Sequence, residues 1–125
     1  MATILLVDDD PRILRPLKSL VEFDGYRVVT ARDGEEALVA TVTQRPDLIV
    51  TDWMMPRVDG VELCRRLRND SAAGIPVVML SAALPPPQKE RLWDVLLLKP
   101  TPINELMREI RYLLEDAPAD AHSRI

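Results

Sequence analysis

The sequence predicts an α/β fold in which a doubly wound parallel sheet of five strands carries helices on both faces. Short runs rich in valine, isoleucine and leucine recur along the chain with few polar interruptions, which is typical of strands buried on both faces. Between these runs, apolar residues recur with a period of about 3.6 residues, which is typical of helices that bury one stripe. The alternation of strand and helix favours a parallel sheet.

Five apolar runs are the predicted strands, and each is four or five residues long. That length is common for strands at the centre of an α/β domain. The runs are TILLV (3–7), YRVVT (26–30), LIVT (48–51), VVML (77–80) and VLLL (95–98).

The first helix is predicted to begin at Asp10 and Pro11, because aspartate is a favoured N-cap and proline fits the first helical position. We favour this capping role for Asp10 over contact with a metal. Pro16 predicts a kink inside the helix, and Gly25 predicts a left-handed conformation after its C-terminal end. The predicted buried stripe consists of Ile13, Leu17, Leu20 and Val21.

The second helix is predicted to begin at Asp33, with Glu36 three residues later as the partner in a capping box. Asp59 and Gly60 predict a turn before the third helix. The buried side of the third helix is predicted to carry Val61, Cys64 and Leu67, and its solvated side Arg65, Arg66 and Arg68.

The segment between the fourth and fifth strands predicts a shortened fourth helix. Three consecutive prolines occupy positions 85–87, and proline is not tolerated in the interior of a helix. A helix in this segment is therefore expected to start late. The last helix follows the fifth strand, and its predicted stripe consists of Leu106, Ile110, Leu113 and Leu114.

The composition predicts one domain that binds neither nucleic acid nor a membrane. A chain of 125 residues with 47% apolar residues is long enough to bury a core, and a net charge of −4 argues against a nucleic-acid surface. One cysteine and one histidine cannot form an internal disulfide or a zinc cluster. We find no membrane-spanning run or signal peptide, and we expect a cytoplasmic protein. The domain is predicted to cover 1–116, and 117–125 to form a flexible tail or the start of a linker.

Polar side chains follow the predicted strands at the points where the strands end. Asp8 and Asp9 follow the first strand and Asp52 follows the third, while Ser81 and Lys99 follow the fourth and fifth. Ligands of open parallel sheets bind at the carboxyl ends of the strands. We therefore expect carboxylates, a hydroxyl and an ammonium group to converge at one edge of the sheet.

This set of groups indicates phosphoryl chemistry assisted by a divalent cation. Clustered carboxylates repel one another, and oxygen ligands without histidine or cysteine favour Mg²⁺. Lysine suits a phosphate oxygen, and an aspartate carboxylate can attack phosphorus to give an aspartyl phosphate. Phosphoryl transfer requires mainly positioning and charge neutralisation, which these groups could supply.

Four motifs, each at the end of a strand, resemble the receiver domain of two-component response regulators of the chemotaxis-regulator type. They are LLVDDDPRI, DLIVTDWMMPRVDG, VVMLSA and LLLKP, and the resemblance covers roughly residues 3 to 115. It implies a flavodoxin-like sheet with strand order 2-1-3-4-5. It also implies that the peptide bond between Lys99 and Pro100 is often cis.

The resemblance implies a role for each polar residue at the strand ends. Asp52 would be the phosphoacceptor, Ser81 would donate to the phosphoryl group, and Lys99 would pair with it. Asp8 and Asp9 would bind Mg²⁺ together with Asp52. The backbone carbonyl of Met54 would complete the protein ligands.

The implied function is a signalling switch and not an enzyme that turns over a separate substrate. The domain would catalyse only its own phosphorylation and dephosphorylation. A sensor histidine kinase or a phosphotransfer protein would supply the phosphoryl group, and a downstream protein or output domain would respond. A dimer that depends on phosphorylation is also compatible with the family.

The sequence departs from the family pattern near the fifth strand, where the family usually has an aromatic residue and this chain has Leu96. Trp93 is a candidate replacement for that switching ring. Two rival functions remain open at this point. One is an interaction module of the same fold that does not depend on phosphorylation. The other is a magnesium-dependent phosphatase that uses Asp8 as its nucleophile.

Overall fold

Five parallel strands form one sheet in the order β2-β1-β3-β4-β5, as the resemblance implied. The computed structural model describes residues 1–69, 74–85, 87–88 and 91–116. The predicted tail at 117–125 lies outside these residues. The strands are β1 (Thr3–Val7), β2 (Arg27–Ala31), β3 (Leu48–Asp52), β4 (Val77–Ser81) and β5 (Val95–Leu98).

Helices cover both faces of the sheet, so the core has two halves. The helices are α1 (Pro11–Phe23), α2 (Gly34–Gln44), α3 (Gly60–Arg68) and α4 (Ile103–Arg111), and a π-helical turn (Tyr112–Asp116) extends α4. Alternate residues of a strand point to opposite faces. In β1, Leu5 and Val7 pack on the side of α2 and α3, whereas Ile4 and Leu6 pack on the side of α1 and α4.

Three aspartates cap helices, and one of them corrects a prediction. Asp10 accepts a hydrogen bond from the Arg12 amide at 2.9 Å, and Asp33 accepts one from the Glu36 amide at 2.8 Å, as expected. Asp59 was predicted to form a turn, but it is the N-cap of α3 and accepts from the Glu62 amide at 2.9 Å. An aspartate before a glycine suits either role, and only the following helix decides between them.

Helix α1 is continuous through Pro16 and ends before Gly25, whose φ of 99° confirms the predicted left-handed conformation. Its buried stripe is rotated from the predicted one. Leu14 and Val21 are buried with Leu17 packed beside them, whereas 42% of Ile13 and 47% of Leu20 are exposed. Several apolar residues of α1 lie at nearly the same angle around the helix axis. Periodicity alone therefore could not tell which of them face the core.

The segment between β4 and β5 differs from the prediction of a shortened helix. Within its described residues, 82–85, 87–88 and 91–94, no helical turn forms. The prolines there lack an amide hydrogen and have a fixed φ, so a helix has too few residues in which to begin. The helix after β5, predicted as the fifth, is therefore α4.

Arg68 connects α3 to described residues on both sides of β4. It was predicted to lie on a solvated face, but its side chain is only 3% exposed. Its Nε donates to the Leu92 carbonyl at 2.9 Å, and its Nη1 donates to the Ile75 carbonyl at 2.8 Å. Its Nη2 lies 3.3 Å from the Asp94 carboxylate, which also accepts from the Val77 amide at 2.8 Å. Arg68 thus satisfies one carbonyl in the loop before β4 and one in the segment after β4, both of which lie outside regular secondary structure.

Cys64 lies in the core, as predicted, and burial raises the pKa of its thiol to about 12. The structure contains no helix, in the parts that it describes, with the length and apolar character needed to cross a bilayer.

Replacing Arg68 with methionine should lower the free energy of unfolding by about 3 kcal/mol, because it leaves the Asp94 carboxylate buried without its cation. Urea denaturation followed by circular dichroism measures this loss. Arg66→Met is the matched control, since Arg66 lies two residues earlier on α3 and half of its side chain is exposed. The control should change stability by less than about 0.5 kcal/mol. Equal losses in the two variants would contradict the anchoring role of Arg68.

Candidate functional site

The carboxyl ends of β1 and β3 bring three aspartates together. Asp8 and Asp9 follow β1, and Asp52 is the last residue of β3. Each contributes a carboxylate oxygen, and these oxygens all lie within 4.8 Å of one another. Asp8 and Asp52 are buried, with exposures of 4% and 9%, whereas Asp9 is exposed. The cluster therefore lies at the protein surface, with Asp9 exposed to solvent and Asp8 and Asp52 buried beneath it.

Lys99 contacts this cluster from the end of β5. Its Nζ lies 2.8 Å from Oδ1 of Asp52. The Lys99 amide donates to the Ser81 carbonyl at 2.8 Å, which extends the β4–β5 ladder by one residue and places the side chain beside β3. The ammonium group offsets part of the negative charge of the three carboxylates.

Ser81 is 1% exposed and lies at the end of β4. Its hydroxyl accepts a hydrogen bond from the Ala83 amide at 3.1 Å and donates to the Ala83 carbonyl. The hydroxyl is thus directed into the loop that follows β4. To contact a group bound at Asp52, it would have to exchange the Ala83 carbonyl for a new acceptor.

Gly60 holds the loop after β3 closed, a role that its place in the sequence did not indicate. Its amide donates to the Trp53 carbonyl at 2.8 Å. A Cβ atom at position 60 would lie 2.4 Å from the Asp52 carbonyl oxygen and 2.9 Å from the Trp53 Cα. Only glycine allows α3 to begin this close to the strand that carries Asp52. The signal in the sequence was the glycine after Asp59, which we interpreted only as part of a turn.

The electrostatic environment disfavours the charged form of Asp8. Burial raises the pKa of the Asp8 carboxyl above its ordinary value, and the neighbouring carboxylates of Asp52 and Asp9 raise it further. The Asp10 amide, which donates to Asp8 at 2.9 Å, and the Lys99 ammonium group lower the pKa in part. The effects that raise the pKa of Asp8 outweigh those that lower it. The protein therefore compensates only part of the negative charge at this site.

This arrangement fits a hard divalent cation. The donors are carboxylate oxygens, and the cluster contains no histidine or thiolate ligand among the described residues. Mg²⁺ prefers oxygen ligands and is usually bound by a few carboxylates, with water and phosphate in the remaining positions. A cation here would also relieve the repulsion that raises the pKa of Asp8.

Leu96, at the position where the resemblance implies an aromatic residue, is the β5 partner of Met79 and is partly buried. Trp93 is also partly buried and packs, like Leu96, against the α2–α3 half of the core. The predicted role of Trp93 as a switching ring stays a prediction. The Lys99–Pro100 peptide bond is cis, as the resemblance suggested.

Known proteins resemble this chain in sequence over most of its length. The family described as "Response regulator receiver domain" matches residues 4–111. Response regulator MprA of Mycolicibacterium vanbaalenii is 38% identical over 121 residues, which is 94% of this chain and 52% of MprA. The alkaline phosphatase synthesis transcriptional regulatory protein PhoP of Bacillus subtilis is 48% identical over 79 residues, which is 63% of this chain and 32% of PhoP. The chain thus spans about half of the length of MprA and a third of PhoP.

Solved structures resemble it in fold. The receiver domain of a histidine kinase from Syntrophus aciditrophicus superposes with a TM-score of 0.83 at 30% identity, covering 95% of this chain and 96% of that one. Response regulator TrrA of Thermotoga maritima, solved in complex with Mg²⁺–BeF, gives a TM-score of 0.83 at 30% identity, covering 91% and 100%.

The matched domain family acts in two-component signalling. Its members typically bind Mg²⁺, interact with histidine kinases and output domains, and are generally not classical enzymes. The match over residues 4–111, the strand order and the carboxylates at the strand ends agree with one another. The chain therefore belongs to the response regulator receiver domain family of two-component systems.

Proposed function

We propose that Asp52 accepts a phosphoryl group from the phosphohistidine of a sensor histidine kinase or a phosphotransfer protein. The observation that carries the proposal is the position of Asp52, which lies 2.8 Å from the Lys99 ammonium group and within 4.8 Å of the carboxylates of Asp8 and Asp9. A carboxylate beside both a cation and a candidate metal site is suited to attack a phosphoryl group that carries negative charge.

In the proposed step, an oxygen of Asp52 attacks phosphorus and the bond between phosphorus and the donor histidine breaks. Lys99 then exchanges its contact with the Asp52 oxygen for one with a phosphoryl oxygen. Ser81 donates to another phosphoryl oxygen and releases the Ala83 carbonyl. These exchanges occur only when the phosphoryl group is present, so they can favour one conformation of the domain over another.

Asp8, Asp9, Asp52 and the backbone carbonyl of Met54 would hold Mg²⁺. The bound ion would neutralise charge on the transferred group. Support comes from the mutual proximity of the three carboxylates and from the exposure of Met54, which lies in the loop directly after Asp52.

The geometry favours Asp52 over Asp8 as the acceptor. Asp8 and Asp52 are both buried, but the Asp8 carboxylate accepts the Asp10 amide at 2.9 Å, so the phosphatase rival would require a nucleophile that is already hydrogen-bonded to the backbone. Asp52 instead contacts the Lys99 ammonium group. Among the described residues, this is the one cation within hydrogen-bond distance of the three carboxylates. The rival interaction module, which does not depend on phosphorylation, predicts that Asp52→Asn leaves partner binding unchanged.

The proposal includes a receiver domain at 1–116, a tail or linker at 117–125, and a downstream protein or output domain that responds to phosphorylation. A phosphorylation-dependent dimer is one form that this response could take. A cytoplasmic location is part of the same proposal.

Asp52→Asn should abolish phosphorylation by acetyl phosphate in the presence of Mg²⁺, because an amide oxygen is a much weaker nucleophile than a carboxylate. Mass spectrometry of the intact protein detects the added phosphoryl group. Asp10→Asn is the matched control, since asparagine caps a helix as well as aspartate does and Asp10 follows the same strand as Asp8. The control should be labelled like the wild type. An adduct that persists in Asp52→Asn would disprove Asp52 as the acceptor, and an unlabelled wild type would favour the phosphorylation-independent module.

Asp8→Asn should stabilise the protein without metal by about 1 kcal/mol at neutral pH, because it removes a buried charge from a cluster of like charges. The folded state raises the pKa of Asp8, so its carboxylate costs stability at neutral pH, and this cost disappears as pH falls through the folded-state pKa. The stability advantage of the variant should therefore shrink at acidic pH.

Urea denaturation in EDTA, at neutral and at acidic pH, measures this advantage of Asp8→Asn and its pH dependence. In Mg²⁺ the same measurement should show that the ion stabilises the wild type more than the variant. A variant that is less stable than the wild type in EDTA would count against a repulsive cluster.

A further inference from the structure

The loop between β3 and α3, residues 53–59, is fixed at its base by backbone contacts, and we call it the acceptor loop. The Trp53 amide donates to the Leu80 carbonyl at 3.0 Å, and the Gly60 amide donates to the Trp53 carbonyl at 2.8 Å. These bonds join the two ends of the loop and attach them to β4. They do not fix its outer part, which includes Met54 and Arg57.

A second contact holds the outer part of the loop to the N-terminus of α2. Arg57 has a φ of 66°, a left-handed conformation that is unfavourable for a residue with a side chain. Its Nη2 donates to Oδ2 of Asp33, whose side chain is only 4% exposed. The other oxygen of Asp33 accepts the Glu36 amide at 2.8 Å. Asp33 thus caps α2 with one oxygen and binds the acceptor loop with the other.

Steric contact reinforces this attachment. Val58, next to Arg57, is buried. A Cβ atom at Gly34 would lie 2.5 Å from both the Cγ1 and the carbonyl oxygen of Val58. The first residue of α2 therefore lies directly against the loop, and the absence of a side chain at position 34 permits this approach.

We propose that Asp33 and Arg57 are positioning residues, whose ion pair forms a latch that holds the acceptor loop in the conformation that binds Mg²⁺. The inference rests on the proposed function, because the loop would supply the Met54 carbonyl as a ligand. A backbone carbonyl binds a metal best when its loop is already ordered, since less entropy is lost on binding. The latch provides that order from a helix that contributes no ligand of its own.

Long-range electrostatics and the latch predict different results. Removing a positive charge near an acidic site should strengthen Mg²⁺ binding through the field alone, and removing a negative charge should weaken it. The latch predicts weaker binding after either change, because each change breaks the same ion pair. If Asp33 acted only as the cap of α2, replacing Arg57 would not change the affinity for Mg²⁺ through Asp33.

The test measures Mg²⁺ affinity in Asp33→Asn, in Arg57→Gln and in the double variant. Asparagine keeps the cap of α2, and glutamine keeps most of the length of arginine. The probe is the fluorescence of Trp53, which directly follows Asp52, during titration with MgCl₂ in a Trp93→Phe background. We expect each single variant to raise the dissociation constant by about threefold, as suits a partly exposed ion pair. The double variant should show the same increase as either single variant, because the pair is lost only once.

Three controls separate the latch from a simple change in net charge or in folding. Arg32→Gln removes the same charge near the start of α2, where Arg32 lies 3.6 Å from Glu36 and its described ion pair is with that residue and not with the acceptor loop. It should not weaken Mg²⁺ binding. Arg57→Lys should restore part of the affinity lost in Arg57→Gln. High salt should reduce the loss of affinity in Arg57→Gln, because the Arg57 end of the ion pair is exposed and is screened, whereas a change in net charge alone predicts a gain of affinity in this variant.

The latch is overturned if Arg57→Gln binds Mg²⁺ as tightly as the wild type or more tightly, if the two single changes are additive, or if Arg32→Gln weakens binding equally. Each of these results leaves the proposed function intact, provided that the wild type binds Mg²⁺ and is labelled on Asp52. A wild type that binds no Mg²⁺ would overturn the latch and the metal site together. Urea denaturation without metal confirms that the variants are folded before titration.

Discussion

The juxtaposition of like charges at the carboxyl edge of the sheet is the constraint on which the candidate site depends. Three carboxylates share a region less than 5 Å across, and two of them are buried. The register of the strands produces this arrangement. Val7 pairs with Thr51, so the residues that follow each of them, Asp8 and Asp52, emerge side by side. A shift of one residue would direct a carboxylate to the opposite face of the sheet.

The same strand register places the Lys99 ammonium group beside the carboxylates. Asp52 pairs with Leu80, and Ser81 pairs with Leu98, so Lys99 is the next residue beyond the ladder. The three central strands, β1, β3 and β4, are buried along their whole length and cannot slip without exposing their core residues, whereas the edge strands β2 and β5 are partly exposed. Hydrophobic burial in the centre of the sheet thus supplies the stability that allows an unfavourable charge cluster to persist at its edge.

The segment between β4 and β5 shows how the fold tolerates the loss of a regular element. Backbone carbonyls outside helices and strands need other partners, and buried carbonyls without partners are costly. Arg68 binds the Leu92 carbonyl in this segment and the Ile75 carbonyl before β4. It also pairs with Asp94, which in turn accepts the amide of Val77 at the start of β4. In this chain, the surface beside β5 therefore depends on a buried ion pair from α3. The same part of the domain contains Leu96 and Trp93, which are partly buried against the α2–α3 half of the core.

The sequence by itself determined the strands, the helix caps at Asp10 and Asp33, and the residues at the strand ends, because these features depend on local preferences and on periodicity. The cap at Asp59 and the lack of a helical turn in the described part of the segment after Leu84 are likewise local, but the sequence pattern left them unresolved. The tertiary structure alone decided that Arg68 is buried. It also decided that Arg57 reaches Asp33. These outcomes depend on which groups from distant parts of the chain are adjacent after folding. A charged residue has the same local preference whether its partner is water or a carbonyl 24 positions away.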